Sequence, residues 1–185
     1  TIATAQGQAE CGWSEIALAA IQDQADPPEA LEDAIERANT IVRIAARERG
    51  AQVMGATVVA LFIAQGVAHV AWAGDSRAYL LRGQRLRMLT HDHTVVQGMV
   101  DRGEIGSDEA EGHPEAHIIT RAVGAAPEIE VDHAAVPLIL GDRLMICSDG
   151  LPRCVYETAI ETILSQGGHA QATCEALVLR ALEEG

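Results

Sequence analysis

Ala68 to Leu81 reads AHVAWAGDSRAYLL, Asp142 to Val155 reads DRLMICSDGLPRCV, and in each an apolar run ends in a turn that carries a carboxylate. In the first, His69, Val70, Ala71 and Trp72 lead through Gly74 to Asp75. In the second, Leu144, Met145, Ile146 and Cys147 lead to Ser148, Asp149 and Gly150. Each reads as a buried strand that delivers an aspartate to the edge of a sheet. The glycine beside each aspartate lets the backbone turn sharply and lets another chain or an ion approach closely. Aspartate is common in turns on its own account. Two such turns in matched strand contexts favour a site, and carboxylates there suit hard cations, Mg²⁺ or Mn²⁺, which prefer oxygen ligands and keep several waters.

Outward from these segments, the pattern changes period. Thr1 to Ala5 alternate weakly as a strand, and Trp13, Ile16, Ala17, Ala20 and Ile21 recur at helical spacing. Asp26 is placed to cap a second helix with Pro27 in its first turn, and Leu31, Ala34, Ile35, Ala38, Ile41, Val42 and Ala45 mark its stripe as far as Gly50. Thr57 to Ile63, Val67 to Ala73, Ala78 to Leu81 and Arg85 to Leu89 read as an antiparallel meander with turns at Gln65-Gly66, Asp75-Ser76 and Gly83-Gln84. Asp92 to Arg102 reads as a helix capped by Asp92. The segment from Gly103 to Ala116 is polar and suggests a surface excursion. Strands return at Ile129 to Val136 and Arg143 to Cys147, before helices at Tyr156 to Leu164 and Gln171 to Leu182. Helices, then strands, then helices imply an α+β layered domain and not alternating βαβ units.

A length of 185 residues suggests a single domain over 1–185, and a chain with 48% hydrophobic but only 3% aromatic residues must build its core from Ala, Val, Leu and Ile. No membrane span or signal peptide is read, so a soluble, cytoplasmic protein is expected. Cys11, Cys147, Cys154 and Cys174 include no C-x-x-C and fit reduced thiols better than disulfides or a zinc site. The formal charge of −14, with no basic cluster, argues against nucleic acid as a partner.

Four stretches carry a family resemblance: GDSRAYLL at Gly74 to Leu81, LTHDHTVVQGMVDRGEI at Leu89 to Ile105, ITRAVG at Ile119 to Gly124 and GDRLMICSDGL at Gly141 to Leu151. In this order the chain resembles bacterial metal-dependent protein phosphatases of the PPM (type 2C) family, and MGATVVALFI at Met54 to Ile63 is similar to the strand that precedes them. The resemblance implies a four-layer α-β-β-α sandwich, with edge strands missing at both termini of this chain. It implies Mn²⁺ or Mg²⁺, with Asp149 ligating one metal of a binuclear pair and Asp75 serving an additional, more weakly held one. It also makes 103–116 the counterpart of a mobile flap, so that His113 and His117, with Arg121, become candidate substrate contacts.

The chain also departs from that pattern. The family's bridging aspartate lies in an Asp-Gly-Met-Gly-Gly loop whose best counterpart here is Ala5-Gln6-Gly7-Gln8-Ala9, so Gln6 and Gly7 stand at a degenerate bridging position. A neutral amide supplies no charge between two divalent ions. Pro152 and Arg153 replace the small polar residue and the acid or amide that usually follow SDGL. Strands expected before Thr1 and after Gly185 are not in the sequence, and the domain reads as incomplete. No catalytic residue beyond the metal ligands is assigned, since Ser148 and Ser76 lack a nucleophile-elbow context. Two readings stand side by side. One is a phosphatase acting on phosphoserine and phosphothreonine in proteins; the other is a pseudophosphatase that binds a phosphoprotein, kinase or regulatory protein.

Overall fold

The computed structural model describes residues 26–185 apart from 52, 53 and 111. The strand expected at 1–5, the loop with Gln6 and Gly7, the helix through Trp13 and Cys11 lie outside the described residues. Helix α1 (Pro27–Glu48) opens on two prolines, whose fixed φ suits a first turn. Asp26 occupies the N-cap position, but its side chain makes no capping hydrogen bond; its carbonyl accepts from the Ala30 N–H at 2.9 Å. Pro28 stands where the cap would seek a donor, and proline has no N–H.

Strands β1 (Val58–Ala64) and β2 (Val67–Ala73) pair across Gln65 and Gly66, whose φ values are 49° and 77°. Strands β3 (Arg77–Arg82) and β4 (Arg85–Met88) pair across Gly83 and Gln84, at 56° and 64°. Positive φ at both central residues gives the turn whose twist matches flanking antiparallel strands. Helix α2 (Val95–Asp101) and the one-turn α3 (Ser107–Ala110) precede β5 (Asp132–Pro137) and β6 (Arg143–Cys147). Helices α4 (Gly150–Cys154), α5 (Glu157–Ser165) and α6 (Ala170–Glu184) follow. The short α4 was not expected from periodicity, because one turn carries no stripe.

The expected continuous meander is in fact split between two sheets, ordered β1-β2-β5 and β4-β3-β6 among the described residues. The chain crosses between them after Ala73. Gly74 makes that crossing with φ at 119°, and a Cβ there would collide with the Thr57 side chain. Only glycine fits both the conformation and the space.

Four layers result. Leu31, Ile35 and Val42 of α1 pack on Val58, Ala60, Phe62 and Ala71, the outer face of the first sheet. Val59, Leu61, Val70 and Trp72 point the other way and meet Ala78 and Ile146 between the sheets. The far face of the second sheet, with Tyr79, Leu81, Met145 and Cys147, is covered by Ile160, Leu164 and Leu177 of α5 and α6. Strands packed on both faces read as unbroken apolar runs, as VVALFIA does in β1, whose half-buried residues meet α1 on one side and the second sheet on the other. The α+β, α-β-β-α expectation is thus met. No helix among the described residues is long and apolar enough to cross a membrane.

Gly74→Ala is expected to lower the unfolding free energy by about 2–4 kcal/mol, from backbone strain plus overpacking. Gly112→Ala, where nothing lies near the added Cβ, should stay within about 0.5 kcal/mol. Urea midpoints of both variants check this; equal midpoints would contradict the role assigned to the crossing.

Candidate functional site

Pairing of β3 with β6 sets Arg77 opposite Cys147. Continuing that antiparallel register two residues along each chain brings Asp75 opposite Asp149, so both carboxylate turns arrive at one end of the sandwich. They line a cavity of about 140 Å³ together with Arg77, Asp92, Thr94, Val96, Gln97, Ala110, Ala116, His117, Pro152 and Arg153. The strands fix the floor of this cavity, and α2, α3 and α4 supply its walls.

The segment from Leu89 to Thr94 clamps the Asp75 turn. The His93 N–H donates to the Gly74 carbonyl at 3.0 Å, and the Gly74 N–H donates to His93 Nδ1 at 3.1 Å. Since Nδ1 accepts a backbone N–H, the proton of the neutral ring sits on Nε2, which faces Asp132 Oδ2 at 3.3 Å and lies 3.2 Å from Arg121 Nη1. The ring stacks on Trp72 with centroids 6.2 Å apart, and the Trp72 indole N–H donates to the His91 carbonyl at 2.8 Å. Burial holds His93 below the usual histidine range, against the opposite pull of Asp132. His93 is therefore a neutral latch on the turn.

Asp92 does not cap the following helix. Thr94 does, its hydroxyl accepting from the Gln97 N–H at 3.2 Å. The Asp92 carboxylate instead takes Arg77 in a bidentate pair, with Nη2 to Oδ2 at 2.7 Å and Nε to Oδ1 at 3.0 Å. A charge-assisted fork is stronger than a single capping bond, so the half-buried guanidinium wins the carboxylate. Arg77 Nη1 also donates to the Tyr79 hydroxyl at 3.3 Å, and that hydroxyl donates to Glu157 Oε1 at 3.3 Å. One wall of the cavity is thereby neutralised and tied to the second sheet and to α5.

Asp75 is left differently. It is only 5% exposed, and no hydrogen bond from another residue reaches its carboxylate among the described residues. Burial raises its pKa, and the negative charge of Asp149 adds to the rise. Asp149 is a third exposed and pairs with Arg153 at 2.7 Å. A buried carboxylate destabilised by a second carboxylate at the same cavity is the electrostatic condition that a cation relieves. The donor set fits a hard divalent ion held partly through water. No group of three or more His, Cys, Asp or Glu gathers for direct ligation among the described residues, and Gln6 and Gly7 lie outside them.

The other residues singled out in the sequence are dispersed. His117 is exposed on the cavity rim, whereas His113 turns back and accepts the Glu115 N–H on Nδ1 at 3.1 Å. Arg121 donates to Asp132 at 2.6 Å and pairs with Glu130 at 2.9 Å, away from the cavity lining. Cys147 is buried, and burial pushes its thiol up to about 12, so it is no thiolate nucleophile. The sequence reading missed the Arg77–Asp92 fork and the His93 latch. Both join residues a turn and a loop apart, and only the run His91-Asp92-His93 hinted at them.

Comparison with known proteins agrees with this fold. The family model described as protein phosphatase 2C matches residues 10–98. The serine/threonine phosphatase stp of Listeria monocytogenes is 39% identical over 145 residues, 78% of this chain. The chain spans 58% of that relative's length. The structure of the Mycobacterium tuberculosis serine/threonine phosphatase PstP/Ppp superposes with a TM-score of 0.82 at 30% identity, covering 94% of this chain and 76% of that one. A PstP catalytic domain in complex with 2 manganese ions gives 0.78 at 31% identity, covering 94% and 75%.

The folded pKa of His93 lies below its unfolded value near 6.5. The stability it contributes is fully present above that value and is lost as pH falls through the folded pKa. Unfolding free energy should therefore fall as pH drops below about 6.5, and the slope should flatten in His93→Gln. Asp75→Asn removes the repulsion with Asp149. Without added divalent cations it should raise the melting temperature, by about 2–4 °C for each kcal/mol relieved, and it should shrink the further rise that Mn²⁺ causes. Calorimetry at several pH values reads both.

Proposed function

The chain belongs to the bacterial-type PPM (protein phosphatase 2C) family, and from that premise we propose that it hydrolyses phosphoserine and phosphothreonine in proteins, using Mn²⁺ or Mg²⁺ held at Asp149 and Asp75. The observation that supports this most is the register that sets the two carboxylates together at one cavity, one buried and raised in pKa by the other. Bound there, a divalent ion would supply positive charge for the phosphoryl oxygens and for activation of water.

The chain's own residues divide the remaining work. Arg77 and Asp92 keep a fixed, neutral wall beside Asp75. His117, exposed at the rim, faces the side from which a phosphoprotein would enter. Ser76 is engaged with the Thr57 hydroxyl at 2.9 Å, Ser148 has no histidine partner among the described residues, and Cys147 stays protonated. Attack by water without a phosphoenzyme is the mechanism that fits these groups. The substrates we propose are cytoplasmic phosphoproteins. A second reading, a binding module for a phosphoprotein, kinase or regulator, is supported by Gln6 at the position of the bridging aspartate.

Mn²⁺-dependent phosphate release from a phosphothreonine peptide tests the first reading. Asp149→Asn is expected to lower kcat/KM by about 10²-fold or more, since even outer-shell changes at metal sites cost 10–100-fold. A folded wild-type chain that binds the phosphopeptide but releases no phosphate would establish the second reading instead.

A further inference from the structure

Three carboxylates, Asp75, Asp92 and Asp149, and two guanidiniums, Arg77 and Arg153, line the cavity. The guanidiniums are held very differently. Arg77 grips Asp92 with a fork and lies half-buried against a carboxylate only 10% exposed. Arg153 meets Asp149 through one contact at 2.7 Å, with side chains 45% and 33% exposed, and has no other ion-pair partner among the described residues. Their spacing is one helical turn: the Arg153 N–H donates to the Asp149 carbonyl at 3.2 Å, so α4 carries the guanidinium back over the carboxylate that opens it.

We propose that Arg153 is a tethered cation which occupies Asp149 until a divalent ion displaces it, and so sets how tightly this cavity takes that ion. The inference rests on the reading of Asp149 as a cation ligand. With both arginines in place, the three carboxylates leave one net negative charge. With Arg153 swung into solvent they leave two, matching a divalent cation. The single exposed contact is the one that can yield, because a half-exposed pair is worth little and holds a long side chain at an entropic cost. Displacement is by competition between the guanidinium and the divalent ion for one carboxylate, and the chain contains no lysine that could take the place of Arg153.

Direct Mn²⁺ titration by calorimetry, with no substrate present, separates this inference from the reading beneath it. Arg153→Gln is expected to bind Mn²⁺ about two- to fivefold more tightly than wild type, the release of one exposed ion pair. Arg153→Lys, which keeps the charge and loses the guanidinium contact with Asp149, should fall between them. In an Asp149→Asn background the Arg153→Gln gain should vanish. Loss of Mn²⁺ affinity in Asp149→Asn, with Arg153→Gln equal to or weaker than wild type, would overturn the role of Arg153 and leave the metal site standing. Unchanged affinity in Asp149→Asn would overturn the metal site itself.

Discussion

The crossing at Gly74 is the constraint on which the rest depends. Because this residue holds φ at 119° with the Thr57 side chain packed against its α-carbon, β2 ends in one sheet and β3 begins in the other. The next residue, Asp75, is therefore placed at the end of the sandwich where the chain passes from one sheet to the other. Thr57 repeats the contact one step later, through its hydroxyl to Ser76, and His93 closes the turn from the opposite side with two hydrogen bonds to the Gly74 backbone. A turn over-determined in this way keeps a carboxylate where burial and a neighbouring charge oppose its ionisation.

Holding Asp75 there requires that the surrounding charges be settled. Three acidic groups meet in a small volume, and an uncompensated buried charge is strongly destabilising. Arg77 answers for Asp92 in a geometry that also satisfies the Tyr79 hydroxyl, so the buried polar groups beside the site form a closed chain running to Glu157. That chain leaves Asp75 and Asp149 as the pair whose repulsion is unresolved by any fixed donor. The arrangement that leaves this repulsion unrelieved is the electrostatic condition a bound cation would relieve.

Much of this was legible in the sequence, for reasons that differ by element. The strands of the core show as continuous apolar runs because both faces are buried, and the hairpin turns show as glycine beside glutamine where two positive φ values are needed. The aspartates stood out because glycine flanks each of them. The split of the meander into two sheets was not legible, since period-two patterning is the same whether the next strand pairs beside the last or crosses to another layer. The cap of α2 was misassigned to Asp92 because local spacing cannot show that a guanidinium fifteen residues away in sequence competes for the carboxylate. Arg153 was visible as a departure after SDGL, but the residue it touches follows from the one-turn helix α4, which is too short to announce itself.

Binding and stability are coupled at this site by its construction. A ligand that binds the native state and not the unfolded chain stabilises by RT ln(1 + [L]/Kd), and the increment is largest where the native state carries unfavourable charge to be relieved. Here that charge lies on Asp75, in the turn that carries the chain from β2 in one sheet to β3 in the other. A cation bound there would act on the same backbone that His93 and Thr57 clamp, so occupancy of the cavity and rigidity of the crossing would rise together. The arginine on α4 moderates this coupling from the far side. By lowering the net negative charge before the ion arrives, it makes the empty native state less strained, at the expense of part of the affinity the carboxylates would otherwise express.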